Sequence, residues 1–272
     1  MPYDIIIPCF WINRSLFEYN LQSWIKEIPT ERILIGVNNV NELYYLKELQ
    51  QKYPVIEIID QIEKHTLGGC LAELMKRVET EWFVFVHTDV LITPFAFLIM
   101  QQYQKDNVGI IESHREHWDG TFINVAEKNI PPLIASDYYF RDRSFSGLQL
   151  IQRKAIMSLV ERLDDDFLYR NEDMIFQAEC VKNKYRYCKT WAMHIHQITN
   201  RQWTYDKEAA YRMQYRGFIK YTDPNELTIY PCIAAIKYMK HTFNETIAGI
   251  LEFCYMVNVD WAKIIIERWD SL

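Results

Sequence analysis

The chain holds 272 residues, 49% of them apolar, enough to fill the core of one large α/β domain or of a domain with an appendage. A net charge of −6 and a pI of 5.7 speak against nucleic acid as a partner. With 8 glycines and neither a G-x-G-x-x-G nor a Walker sequence, a glycine-rich phosphate cradle is not expected either. In chain order, the first half alternates strands with helices. An apolar strand over 3–9 leads to an amphipathic helix over 15–28. A strand over 32–37 precedes a helix over 41–52 that polar residues can cap. A strand over 55–60, a helix over 67–78 and a strand over 82–86 follow. Pro94 suits the first turn of a helix running to 103, and 108–112 is a fifth strand. Strands with little internal polarity, separated by helices, predict a mostly parallel sheet covered on both faces.

Regularity then breaks. Residues 113–144 are polar and aromatic, with His114, His117, Trp118, Pro131 and Pro132, and such an irregular insertion reads as a functional loop or lid. Helix and strand return over 148–162, 172–182 and 185–191. Beyond 204 the chain reads as helical and aromatic. Trp203, Tyr205 and Tyr211 suit core and homo-oligomer surface, with a lipid-facing helix over 233–255 as the alternative. Six cysteines without zinc spacing read as reduced core thiols. Neither an export signal nor an apolar run of about 18 residues occurs, so a soluble cytoplasmic protein is expected, with peripheral membrane contact confined to the C-terminal helices.

The chemistry gathers at a few points. Phe83-Val84-Phe85-Val86 reads as a buried strand, and His87-Thr88-Asp89 follows where it ends. Ligands of open α/β sheets bind beyond the carboxyl ends of the strands, so this imidazole and carboxylate can reach one metal ion or one phosphate-bearing ligand. Further along come the acidic pair Glu172-Asp173 and the alternating His194-Ile195-His196, whose imidazoles strand geometry turns to one face.

An opening strand Ile5-Ile6-Ile7-Pro8, the strand-end His-x-Asp, the acidic pair and the late histidines, in this order, resemble the family 2 glycosyltransferases of GT-A fold. Those enzymes transfer a sugar from a nucleotide-sugar donor. The resemblance covers residues 3–198 and extends to local wording. Asn38-Asn39 stands where the family's second strand meets the base, and Gly68-x-x-x-Ala72 matches part of a helix start. The 146–153 segment looks like the approach to the acceptor, and Asp165-Asp166-Phe167 before Glu172-Asp173 looks like the run carrying the catalytic carboxylate.

The resemblance implies a GT-A (Rossmann-like) domain over 1–203, with a nucleotide-sugar half (1–112), an acceptor half (113–203) and a helical extension over 204–272. It places Pro8, Phe10, Asn38, Asn39, Gly68, His87, Thr88 and Asp89 on the donor, and Gly147 and Trp118 on the acceptor. Trp118 can stack on a sugar ring or anchor its loop. Asp89 inherits the role of ligand to Mn2+ or Mg2+, with His194, His196 and His87 as candidates to complete the shell. Asp173 is the implied general base of an inverting transfer; Glu172 is the lesser candidate, because an acid in a first helical turn is already stabilised by the dipole. A UDP-sugar is favoured over a GDP-sugar, with a glycan or lipid-linked acceptor. Three departures stand out. His87 replaces the usual first Asp, Glu73-Leu74 replaces a common Arg-Asn, and Asn38-Asn39 replaces an acidic pattern. They keep a non-catalytic nucleotide-sugar or glycan-binding relative as the alternative.

Overall fold

The computed structural model describes residues 2–62, 67–118, 133–134, 147–161, 163, 176, 179–180 and 182–197, with backbone alone at 114–118, 133–134, 189, 191 and 196–197. The expected helices beyond 204, Glu172-Asp173 and Asp165-Asp166-Phe167 lie outside the described residues, as does most of the 113–144 insertion.

The first half is built of β1 (Asp4–Cys9), α1 (Arg14–Glu27), β2 (Arg32–Val37), α2 (Val40–Lys52), β3 (Ile56–Asp60), α3 (Leu67–Lys76) and β4 (Trp82–Val86). β1 pairs in parallel with β2 and β4, and β2 with β3. Parallel neighbours need a crossover, and each intervening helix supplies one. Ile5, Ile6, Ile7, Ile33, Leu34 and Ile35 are all fully buried, as strands covered on both faces require.

The second half is mixed. It contains β5 (Val90–Ile92), α4 (Ala96–Gln101), β6 (Val108–Trp118), β7 (Leu133–Ile134), β8 (Leu148–Gln152), α5 (Arg153–Val160) and β9 (Arg186–Gln197). The sheet order among the described residues is β3-β2-β1-β4-β8-β6-β9-β5, with β7 beside β9. β8 lies antiparallel between β4 and β6, β9 runs parallel to β6, and β5 is antiparallel to β9. The parallel arrangement expected for the sheet thus holds from β3 to β4 and gives way to mixed pairing beyond.

Two local expectations need correction. The fifth strand does not stop at Glu112: β6 continues through Ser113 to Trp118, because its polar residues find partners on β9. The helix after Pro94 begins only at Ala96. β5 precedes it, and Phe95 takes a left-handed conformation (φ 65°) to turn the chain.

Connectivity also bends the sheet. In a flat sheet β5 would lie four strand spacings, about 19 Å, from β4. Only His87, Thr88 and Asp89 separate the two strands, and from Val86 to Val90 an extended chain reaches at most about 14 Å. The sheet must therefore curl until β5 returns to the β4 end. β6 and β9, 11 and 12 residues long, make the curve, with register shifts at Val108/Ile110 and Glu112/His114. Such irregularities increase local twist.

One face carries Ile5, Ile7, Ile35, Val84, Val86 and Leu148 against Phe17, Leu21 and Trp24 of α1 and Phe97 and Met100 of α4. The indole of Trp24 donates to the Val90 carbonyl at 2.9 Å and fixes β5 to α1. α3 packs on β1 and β2, and α5 on β6 and β8. No helix among the described residues is long and apolar enough to cross a membrane.

Candidate functional site

The carboxyl ends of β1, β2 and β4 are tied into one rim by hydrogen bonds. The Asn38 amide donates to the Cys9 carbonyl at 3.3 Å, the Asn39 side chain to the Phe10 carbonyl at 3.2 Å, and the Thr88 hydroxyl to the Trp11 carbonyl at 3.2 Å. Pro8 sits in β1 opposite Gly36, beyond the point where the β1–β4 ladder ends at Ile6 and Phe85. Its missing N–H costs no bond to β4 there. Phe10 and Trp11 remain 49% and 37% exposed, so this rim offers two aromatic side chains to a ligand.

The two asparagines divide their work. Asn39 is the N-cap of α2: its Oδ1 accepts from the Asn41 amide at 3.0 Å while its Nδ2 holds Phe10. Asn38 has a buried Oδ1 with no hydrogen-bond partner among the described residues. Of the pair, Asn38 is the one with acceptor capacity left for a ligand. Gly68, in the first turn of α3, is buried.

The strand-end motif forms a tight turn, closed by the Val90 amide donating to the His87 carbonyl at 3.3 Å. The His87 amide donates to the Gly147 carbonyl at 2.9 Å, and its ring meets Phe85 edge-on at 5.2 Å. The Thr88 carbonyl accepts from buried Asn20 at 3.1 Å. Asp89 is 4% exposed at the entry to β5. Phe85 also receives Phe176, edge-on at 5.5 Å. Phe176 and His87 thus share one aromatic floor, and in sequence Phe176 stands three residues after Asp173.

β9 closes the other side. His194 lies opposite Ile92 and His196 opposite Val90, the residue after Asp89, so the backbone places both histidines on one face, as their alternation predicts. His194 is fully buried, and its Nδ1 lies 2.7 Å from the Ser113 hydroxyl, which also contacts the Leu148 carbonyl at 3.1 Å. The His196 and Trp118 side chains lie outside the described atoms, although their backbones adjoin: His117 pairs with His196 and Trp118 with Gln197. Gly147 is buried beside His87, and the expected acceptor segment over 146–153 includes β8.

Three participants escaped the sequence reading. Ser113 and Phe176 owe their positions to contacts across 81 and 91 residues, which no local pattern signals. Gln149, fully buried in β8 with neither side-chain polar atom hydrogen-bonded among the described residues, lies beside Phe85. It lies in the 146–153 segment expected to approach the acceptor, but only its polarity inside the apolar run Leu148–Ile151 marks it individually.

Among the described residues no group of three or more His, Cys, Asp or Glu converges as a metal site. Asp89, at the entry to β5, and His194, opposite Ile92 at its other end, are nevertheless oxygen and imidazole donors of the kinds that suit Mn2+. Thiol chemistry is disfavoured. Cys9, Cys70, Cys180 and Cys188 are buried, and burial, aided by Glu42 and Cys70, pushes the Cys9 thiol well up.

No protein-family model matches the sequence, and no curated protein matches it. Solved structures do match by fold. A mannosyltransferase from Pyrobaculum calidifontis in complex with GDP-Man and Mn2+ superposes with a TM-score of 0.58 at 11% identity, over 99% of this chain and 79% of that one. S. aureus TarS in complex with UDP-GlcNAc gives 0.59 at 9% identity, over 100% and 92%. GalNAc-T7 with UDP, GalNAc and Mn2+ gives 0.60 at 10% identity, over 100% of this chain and 57% of that one. At these identities the likeness is one of fold, and the fold is GT-A.

Proposed function

We propose that the chain is a nucleotide-sugar glycosyltransferase. It moves a hexosyl or related group, with inversion, from a nucleoside-diphosphate sugar to a glycan or lipid-linked acceptor. The observation that supports this reading is the rim at the carboxyl ends of β1, β2 and β4, tied by Asn39 to Phe10 and by Thr88 to Trp11, on a fold shared with nucleotide-sugar glycosyltransferases. Phe10, Trp11 and Asn38 suit a nucleoside, with Pro8 and Asn39 holding the rim and Gly68 at the start of α3. UDP is favoured over GDP on the sequence resemblance. His87 and Thr88 suit the diphosphate or ribose, because the His87 ring is held on Phe85.

Asp89 and His194 would hold Mn2+ or Mg2+, with His196 as the further imidazole. A cation held there would neutralise charge gathering on the departing diphosphate. Asp173 removes the proton of the acceptor hydroxyl as its oxygen attacks the anomeric carbon, with Glu172 the lesser candidate for that role. Trp118 and the segment from Gly147 face the acceptor. The protein acts in the cytoplasm, with the 204–272 region available for peripheral membrane contact or self-association.

The test is release of nucleoside diphosphate from UDP- and GDP-sugars in the presence of Mn2+. Turnover is expected in the parent and lost in Asp89→Ala. Asp173→Asn should lower transfer by at least about 100-fold, the scale of general-base catalysis, with nucleotide affinity near that of the parent. If affinity falls together with transfer, Asp173 is not the base. Binding of a nucleotide sugar without turnover by the parent would favour a non-catalytic binding relative, a reading supported by His87 in place of an acid.

A further inference from the structure

We propose that Glu42 selects the nucleobase of the donor, and that the base it selects is guanine. The inference rests on the nucleotide-sugar reading for the presence of a nucleoside at this rim, and on hydrogen-bond chemistry for which one it is.

Glu42 stands in the first turn of α2, three residues after the cap Asn39, whose side chain holds the Phe10 carbonyl. Arg14, at the start of α1, brings its Nε to 3.5 Å from Oε2 of Glu42. The guanidinium is itself fixed, donating to the Asn41 carbonyl at 2.9 Å and lying 5.1 Å from the centre of the Tyr45 ring. The carboxylate is also near Cys9, the last residue of β1, whose thiol its charge helps to push up. It thus sits where β1 ends and α1 and α2 begin, with the exposed Phe10 and Trp11 in the connecting loop. Glu42 is 6% exposed, and its Oε2 has no hydrogen-bond partner among the described residues. The helix dipole favours an acid in a first turn but does not require its burial. Nor does Glu42 close a capping box, in which it would accept from the Asn39 amide; the cap is the single bond from the Asn41 amide to Asn39 Oδ1. A buried carboxylate oxygen without a hydrogen bond is costly, and a ligand bearing N–H donors would satisfy it.

An ionised carboxylate only accepts, and its two oxygens suit two parallel N–H donors. Among the nucleobases, guanine alone presents two adjacent donors on its pairing edge, at N1 and N2. Uracil presents one N–H between two carbonyls, which a carboxylate repels. Cytosine and adenine present one amino group beside a bare ring nitrogen. Asn38, tied to the Cys9 carbonyl, adds a side-chain amide whose NH2 can serve the guanine O6. The sequence resemblance alone favours uridine; an acceptor-only group at the rim reverses that order.

The experiment is calorimetric titration of the full chain with GDP, UDP and inosine diphosphate in the presence of Mn2+. GDP should bind more tightly than UDP. It should also bind roughly 10-fold more tightly than inosine diphosphate, which lacks only the 2-amino group. Glu42→Gln replaces one acceptor oxygen by an NH2, which suits the N–H and carbonyl of uracil. GDP affinity should then fall roughly 10–100-fold, the gap between GDP and inosine diphosphate should close, and UDP should be held at least as well as by the parent. Equal affinity of the parent for GDP and inosine diphosphate, or tighter binding of UDP than of GDP, overturns the proposal without any variant and leaves the nucleotide-sugar reading standing. An equal loss of all three nucleotides in Glu42→Gln also overturns it, because Glu42 then only holds Arg14 and the rim in place. No binding of any of the three by the parent overturns it together with the nucleotide-sugar reading.

Discussion

Replacing Gln149 by methionine should make this protein more stable. Gln149 lies between Phe85 of β4 and Glu112 of β6 and has no exposed surface. Neither its amide nitrogen nor its amide oxygen has a hydrogen-bond partner among the described residues. A buried polar group left unmade costs about 1–3 kcal/mol. Methionine has nearly the same length, fills irregular space and needs no partner, so little is lost in packing. The expected gain is about 2 kcal/mol. At roughly 2–3 °C per kcal/mol for a chain of this length, Tm should rise by about 4–6 °C. Reversible urea denaturation gives the free energy directly and should show a higher midpoint with an unchanged slope. Gln152→Met, which removes only one unpartnered oxygen, should gain less. An equal or lower midpoint for Gln149→Met would refute the reasoning, because it would mean that the amide is hydrogen-bonded in solution, by a buried water for example.

Gly109→Ala should destabilise by about 1–3 kcal/mol, read as a lower urea midpoint, because overpacking leaves no room to relax. The new Cβ would fall 2.6 Å from both the Ala155 Cβ and the Cys180 sulfur, and 2.8 Å from the Tyr185 Cβ. The asparagines should separate by assay: Asn39→Ala loses the α2 cap and about 1 kcal/mol of stability, whereas Asn38→Ala keeps its stability and binds nucleoside diphosphate roughly 10-fold more weakly. Burial pushes the thiols of Cys180 and Cys188 up to about 12 and about 11 from the ordinary 9.0. The folded chain therefore keeps protons that the unfolded chain releases, so this contribution to stability is complete below pH 9 and declines as pH rises through 11 and 12. Urea midpoints measured across that window should fall, and both thiols should resist alkylation in the native protein.

The first half of the fold was legible because its strands are buried on both faces and so spell near-continuous apolar runs, Ile5-Ile6-Ile7 and Phe83-Val84-Phe85-Val86 among them. The helix starts were legible where a polar cap preceded them, as Asn39 does α2. Legibility failed where partners supply what sequence does not. Ser113 to Trp118 reads as irregular and polar, yet lies in β6 because β9 offers a parallel ladder. β5, three residues before Thr93-Pro94, is too short to carry a period and exists because His194 and His196 face it across the ladder. At the site, the His-x-Asp end and the late histidines were visible as residues. Their proximity was not, since it depends on a sheet that curls. The acidic pair lies outside the described residues.

The departure at His87 acquires a physical meaning from those same contacts. Phe85 presents its ring to two edge-on neighbours, His87 at 5.2 Å and Phe176 at 5.5 Å. An aspartate at 87 could not make the first of these contacts, and would set a charge beside an apolar floor where an aromatic ring now packs. On the proposed reading, the strand end thus gives up one carboxylate to fix the floor that Phe176 also meets. The cation is left with Asp89 and with nitrogen donors from β9. Each imidazole that replaces an oxygen ligand favours Mn2+ over Mg2+, which prefers oxygen donors and retained water. On that proposed reading, an imidazole at 87 in place of a carboxylate goes with a preference for Mn2+ over Mg2+, which metal titration of the parent would show.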